Sequence, residues 1–128
     1  MSKKPFGVIL MLDTDGCEGI IDHKNHIQSF IDELVKSMGM KKKGDTIFEY
    51  FEDNDFNRER DIVGYSVVQI ISLSNITLHI NEISRTIYMD VFSCGELDDT
   101  QITLLFSDYF KPQKLKKQRI IRDAKRLY

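Results

Sequence analysis

Two cysteines in 128 residues, Cys17 and Cys94, are too few for a disulfide framework, and that scarcity suits a reducing compartment. No apolar run approaches the ~20 residues that a bilayer-spanning helix needs. The apolar run behind the basic start, FGVILMLD at 6–13, ends in aspartate without a small-residue cleavage site. It reads as a first strand rather than a signal peptide, so the cytoplasm is the expected location. The formal net charge of −2 argues against bulk nucleic-acid binding. A glycine-rich phosphate loop, Cys/His zinc spacing, internal repeats and low-complexity segments are all missing. What is present is ordinary for a globular protein, 41% hydrophobic and 30% charged, and the length suits one domain over 1–128 with one core.

Along the chain, 6–13 is nearly continuous apolar sequence and predicts a buried central strand, with Asp13, Thr14, Asp15 and Gly16 supplying turn chemistry after it. Ile27, Phe30, Ile31, Leu34, Val35 and Met38 recur at helical spacing, which predicts a helix over 23–38 with Asp22 as N-cap and Gly39 as its stop. His23 and His26 lie three apart at its start. Two histidines on an exposed first turn without a third ligand read as solvated rather than as a metal site. Lys41-Lys42-Lys43 is a charged connection, 46–53 alternates as a strand, and the polar run 54–61 reads as a loop. Strands are expected at 64–73, at 75–80 after a sharp break at Ser74, and at 85–93. Asp99 is placed to cap a second helix over 100–109. The tail 111–128 carries eight basic residues and one acidic residue and predicts an edge strand or short helix whose charges discourage aggregation.

This order of elements predicts an α+β two-layer sandwich, an antiparallel sheet with two helices on one face. The other sheet face would then be uncovered in so small a chain, which favours a homodimer.

Chemistry-bearing residues gather in 64–95: Ser66, Ser74, His79 and Cys94. Ser74-Asn75-Ile76-Thr77-Leu78-His79 resembles the cleavage-site pattern Glu-Ser-His-(Ile/Leu)-(Ser/Thr)-Ile-His of the bacterial and archaeal S-adenosylmethionine decarboxylase proenzymes. Asp90-Val91-Phe92-Ser93-Cys94-Gly95 resembles that family's Asp-Val-Phe-Thr-Cys-Gly at the family's own separation, and Gly16-Cys17 is similar to its Gly-Cys turn. The departures are as specific. Leu73 stands where the family has Glu and Asn75 where it has His, and Ile80-Asn81-Glu82-Ile83 replaces Thr-Trp-Pro-Glu. The substrate-binding glutamate therefore meets Ile83, with Glu82 one position away.

The resemblance implies self-cleavage between Leu73 and Ser74, giving chains 1–73 and 74–128, with Ser74 converted to a covalent pyruvoyl cofactor that takes the substrate amine as a Schiff base. It assigns Ser66 and His79 to processing, Ser66 to the tetrahedral intermediate and His79 to the Cα proton of residue 74. It nominates Cys94 as the proton donor in turnover, a task suited to a thiol that holds its proton at neutral pH and yields it readily. Cys17 reads as a packing or turn residue. The implied function is decarboxylation of S-adenosylmethionine for spermidine synthesis. With the family's glutamate gone and Glu82 displaced, the same chemistry on L-ornithine or L-arginine stays open, with Asp13, Asp15 or Glu82 facing the cationic end. An unprocessed binding or regulatory homologue stays open as well.

Overall fold

The computed structural model describes residues 4–126. Its elements in chain order are β1 (Gly7–Asp15), α1 (Lys24–Ser37), β2 (Ile47–Phe51), α2 (Asp55–Glu59), β3 (Gly64–Ile71), β4 (Ser74–Asn81), β5 (Thr86–Ser93), α3 (Asp99–Phe110) and β6 (Lys114–Arg122), followed by one 3-10 turn at Ala124–Arg126. The strands form one sheet in the order β2-β3-β4-β5-β1-β6, and every neighbouring pair is antiparallel.

Strand periodicity decides which side chains are covered. Leu10 and Leu12 of β1, Val67 of β3, Ile76, Leu78 and Ile80 of β4, and Ile87, Met89 and Val91 of β5 are buried on one face. Ile27, Phe30, Ile31 and Leu34 of α1 and Ile102, Phe106 and Phe110 of α3 close over them in a single core. Phe30 joins the two helices, its ring centroid 5.0 Å from that of Phe110 and 5.4 Å from that of Tyr109. The α+β sandwich with α1 and α3 on one side of an antiparallel sheet is thus the observed architecture, and the buried core of the described residues lies on that side.

Local chemistry moves several boundaries. The N-cap of α1 is His23 rather than Asp22, and Asp22 instead hydrogen-bonds the His23 ring at 2.7 Å. Gly39, at φ +67°, follows the end of α1 as its spacing predicts. The N-cap of α3 is Asp98, which accepts from the Gln101 amide, one residue before the expected Asp99. The polar run 54–61 is not all loop: Asn54 accepts from the Asn57 amide and nucleates the five-residue helix α2. The break near Ser74 falls on Ser72 and Leu73, which form a two-residue turn, so Ser74 opens β4 in register with Ile71 and Ser93. In the tail, β6 is an edge strand paired with β1, while 127–128 lie outside the described residues.

Candidate functional site

The β3–β4 hairpin presents the Leu73–Ser74 peptide at one end of the sheet. Two donors converge on the Leu73 carbonyl: the Cys94 amide at 3.0 Å and the Cys94 thiol at 3.3 Å. Paired donors on one carbonyl oxygen polarise it and stabilise negative charge that develops there, the arrangement an acyl transfer requires. Cys94 is held in place because fully buried Ser93 pairs with Ser74 and its Oγ accepts from the Gly95 amide at 2.9 Å. Ser74 is only 8% exposed, and its hydroxyl donates to Met40 Sδ at 3.1 Å.

Ser66 and His79 form a second group. They are cross-strand partners, and a hydrogen bond of 3.1 Å joins Ser66 Oγ to His79 Nδ1. Gly64 makes the approach of β3 to β4 possible: at φ +140° its missing Cβ would run into the Ile80 carbonyl. Both side chains lie on the face away from the helices, since burial alternates and the buried neighbours Val67, Leu78 and Ile80 point the other way. Ser74 shares the parity of Ile76 and Leu78, and five residues separate it from His79, or ~16 Å at ~3.3 Å per residue. Within one chain, therefore, Ser74 and Cys94 stand together, Ser66 and His79 stand together, and the two pairs are apart.

The open face carries Ser66 and His79 in a polar row that crosses all six strands: Glu49, Ser66, His79, Tyr88, Asp13 and Lys116 are successive register partners. A cavity of about 300 Å³ opens beside the pair, lined among others by Arg60, Asp61, Tyr65, Asn81 and Tyr88. Asp13 is exposed two strands from His79, ~10 Å away at normal strand spacing, and Asp15 lies further along β1 beside Lys114. Glu82 is engaged elsewhere: it accepts from the Tyr50 hydroxyl at 2.9 Å, and that bond pushes the Tyr50 pKa up to about 12. Ile83 beside it is half-exposed.

Cys17 is a packing residue. It is fully buried against Thr14, burial pushes its thiol pKa up, and its backbone is pinned by Arg85, whose guanidinium donates to the Cys17 and Gly19 carbonyls at 2.6 Å each. Of the two histidines at the start of α1, His26 bonds the Tyr109 carbonyl at 3.0 Å and ties α1 to α3. Two residues at the hairpin, Met40 and Ser93, and one backbone group escape a reading of the sequence. Met40 lies 34 residues from Ser74, and only tertiary structure joins them. Ser93 looks like any small strand residue. The Cys94 amide is a backbone group that no side-chain motif reports, although the DVFSCG block marks its position.

Comparison with known proteins identifies the fold and the family. The fold matches the crystal structure of the adenosylmethionine decarboxylase from Aquifex aeolicus VF5 with a TM-score of 0.77, covering 94% of this chain and 93% of that one at 20% identity. No curated protein matches the sequence. The family model for S-adenosylmethionine decarboxylase does match, over residues 9–123, a span that holds the hairpin, the Ser66–His79 pair and Cys94, and the chain belongs to the S-adenosylmethionine decarboxylase family.

Proposed function

We propose that this chain is a proenzyme that cuts itself between Leu73 and Ser74, turns Ser74 into a pyruvoyl group and, as a homodimer, decarboxylates S-adenosylmethionine. The observation that carries the reading is the Leu73 carbonyl, held by both Cys94 donors beside a buried serine hydroxyl. These residues fit the group: a small side chain at 74, donors on the preceding carbonyl and an exposed thiol next to it. When formed, the pyruvoyl group supplies an electron sink for loss of carbon dioxide from an α-amino acid.

The chain's own residues do the rest. The Ser74 hydroxyl attacks the Leu73 carbonyl carbon, the peptide bond becomes an ester, and the Cys94 amide and thiol bear the charge on oxygen. Removal of the Cα proton of residue 74 then releases the Leu73 carboxylate, a task for a base within hydrogen-bonding reach. His79 of the same chain is ~16 Å away along β4. We assign the role to His79 of a second copy, which would approach residue 74 from the open face. If the open faces of two copies stack about a two-fold axis crossing β4 near residues 76 and 77, each copy's Ser66–His79 pair lies opposite the other's residues 74 and 75. Cys94, beside the cut, is the proton donor for the decarboxylated product.

Mass spectrometry tests self-cleavage. Two fragments divided at 73/74 are expected, whereas a chain that stays at 15.0 kDa on long incubation makes this a non-catalytic binding homologue. Coexpression tests the shared site: Ser74→Ala and His79→Ala chains each fail to cleave alone, and together the His79→Ala chain is cut. Failure to rescue would place the base within one chain and defeat the arrangement.

A second substrate reading, L-ornithine or L-arginine, is favoured by one observation. The carboxylate of Glu82 is tied to Tyr50 and Ile83 offers no hydrogen bond, while Asp13 stands exposed in the row of His79. Sites that lose a partner for a polar substrate group lose discrimination for that substrate. Carbon dioxide release from carboxyl-labelled S-adenosylmethionine, ornithine and arginine, measured side by side, decides between them.

A further inference from the structure

The segment 40–43 is bound to the cleavage hairpin as if it were a short additional strand. The Lys43 amide donates to the Ile70 carbonyl at 2.8 Å, the Ser72 amide donates to the Lys41 carbonyl at 3.1 Å, and Lys42 bridges to Ile71. A further bond runs from the Lys41 amide to Ser72 Oγ at 3.4 Å. These contacts fix Met40 over the start of β4, where its sulfur accepts a hydrogen bond from the Ser74 hydroxyl. Nothing in the family resemblance or in the Ser66, His79 and Cys94 assignments gives this segment a role.

We propose that Met40, carried on the 40–43 clamp, holds the Ser74 hydroxyl in position to attack the Leu73 carbonyl. The proposal rests on the self-cleavage reading above and adds the group that positions its nucleophile. In the acyl shift the Ser74 Oγ–C bond forms, the Leu73–Ser74 C–N bond breaks, and the hydroxyl proton ends on the nitrogen of residue 74. A thioether is too weak a base to take that proton, so Met40 acts by orientation. With the hydrogen directed at sulfur, the oxygen lone pairs point away from Met40, and the half-buried methionine covers the hydroxyl from water. A neutral acceptor suits the position, because it directs the hydroxyl hydrogen without holding it as tightly as a carboxylate would. Fixing a reacting atom within a near-attack arrangement lowers the barrier at little cost in stability.

The competing role for Met40 is plain filling of the space beside Gly95, where a Cβ added to the glycine would meet its methyl at 3.5 Å. Two substitutions separate the roles because they predict opposite orders. Met40→Leu keeps the apolar bulk and removes the acceptor. Met40→Gln keeps the length of the side chain and supplies an acceptor. Cleavage of freshly purified full-length chain is followed by mass spectrometry, with thermal unfolding measured on each variant. The expected result is cleavage slowed on the order of tenfold in Met40→Leu, with partial recovery in Met40→Gln and melting temperatures close to the parent. Met40→Leu that cleaves as fast as the parent, or Met40→Gln that is the slower of the two, overturns the proposal and leaves self-cleavage intact. A parent chain that never cleaves overturns both.

Discussion

At the scale of single residues, Cys94 stands in two places in the proposed chemistry, and its two donors separate them. Its amide and its thiol both reach the Leu73 carbonyl, so Cys94→Ala removes one donor and keeps the other. Losing one of a pair of donors costs about 1–3 kcal/mol of transition-state stabilisation, whereas losing the proton donor leaves the decarboxylated product without its acid. Cleavage of Cys94→Ala is therefore expected to slow but finish, and turnover by the cleaved enzyme to fall much further; equal losses in both would remove Cys94 from turnover. Glu82 offers a residue-scale test of the altered pocket. Its bond holds Tyr50 in the neutral form, so the contribution of this contact to stability is present below the ordinary tyrosine pKa of about 10 and is lost as pH rises through about 12. The absorbance difference between parent and Tyr50→Phe should show a phenol titrating near 12, moving down toward the ordinary value in Glu82→Gln. An unmoved titration would mean that Glu82 is free to face a substrate.

At the scale of elements, what the sequence revealed and what it concealed follow from where the information sits. The buried strand at 6–13 and the helix with Ile27, Phe30, Ile31 and Leu34 on one stripe were legible because hydrophobic periodicity is local and strong. The helix α2 was hidden because its five residues bury only Asn57, so nothing periodic marks it, and the Asn54 cap that starts it resembles loop chemistry. The β3–β4 turn shifted to Ser72 and Leu73 because the pairing of Ile71 with Ser74 decides it, and pairing is not a local property. Ser66, Ser74, His79 and Cys94 could be named from spacing, but their separation into two pairs required the sheet: a five-residue step along one strand changes both distance and face. Gly64 is the element-scale test of how Ser66 meets His79. Gly64→Ala forces a methyl against the Ile80 carbonyl at a φ that L-residues avoid, so the β3–β4 pairing must shift. A loss of at least about 2 kcal/mol in denaturant unfolding is expected, and a stability equal to the parent's would mean that the strands accommodate the side chain.

At the scale of the whole molecule, the uncovered sheet face ties assembly to chemistry. One face of the sheet is sealed by α1 and α3, while the other exposes Ile47, Ile70 and Ile120 to one side of the row that holds Ser66, His79 and Tyr88. Large apolar side chains beside polar catalytic candidates are costly to leave in water, and in the proposed homodimer a second copy of the same face would cover them by symmetry. The proposed stacking would bring His79 of one copy to residue 74 of the other, so dimerisation and cleavage should fail together. Ile70 is the place to separate assembly from folding, because its side chain is 54% exposed on the open face and contributes little to the helix-side core. Ile70→Asp sets two carboxylates into the proposed interface without emptying any part of that core. Sedimentation should then show a monomer with a melting temperature near that of a dissociated parent, and the Leu73–Ser74 bond should stay whole for as long as the monomer persists. A monomeric Ile70→Asp chain that still cuts itself at the parental rate would show that one copy holds everything the reaction requires.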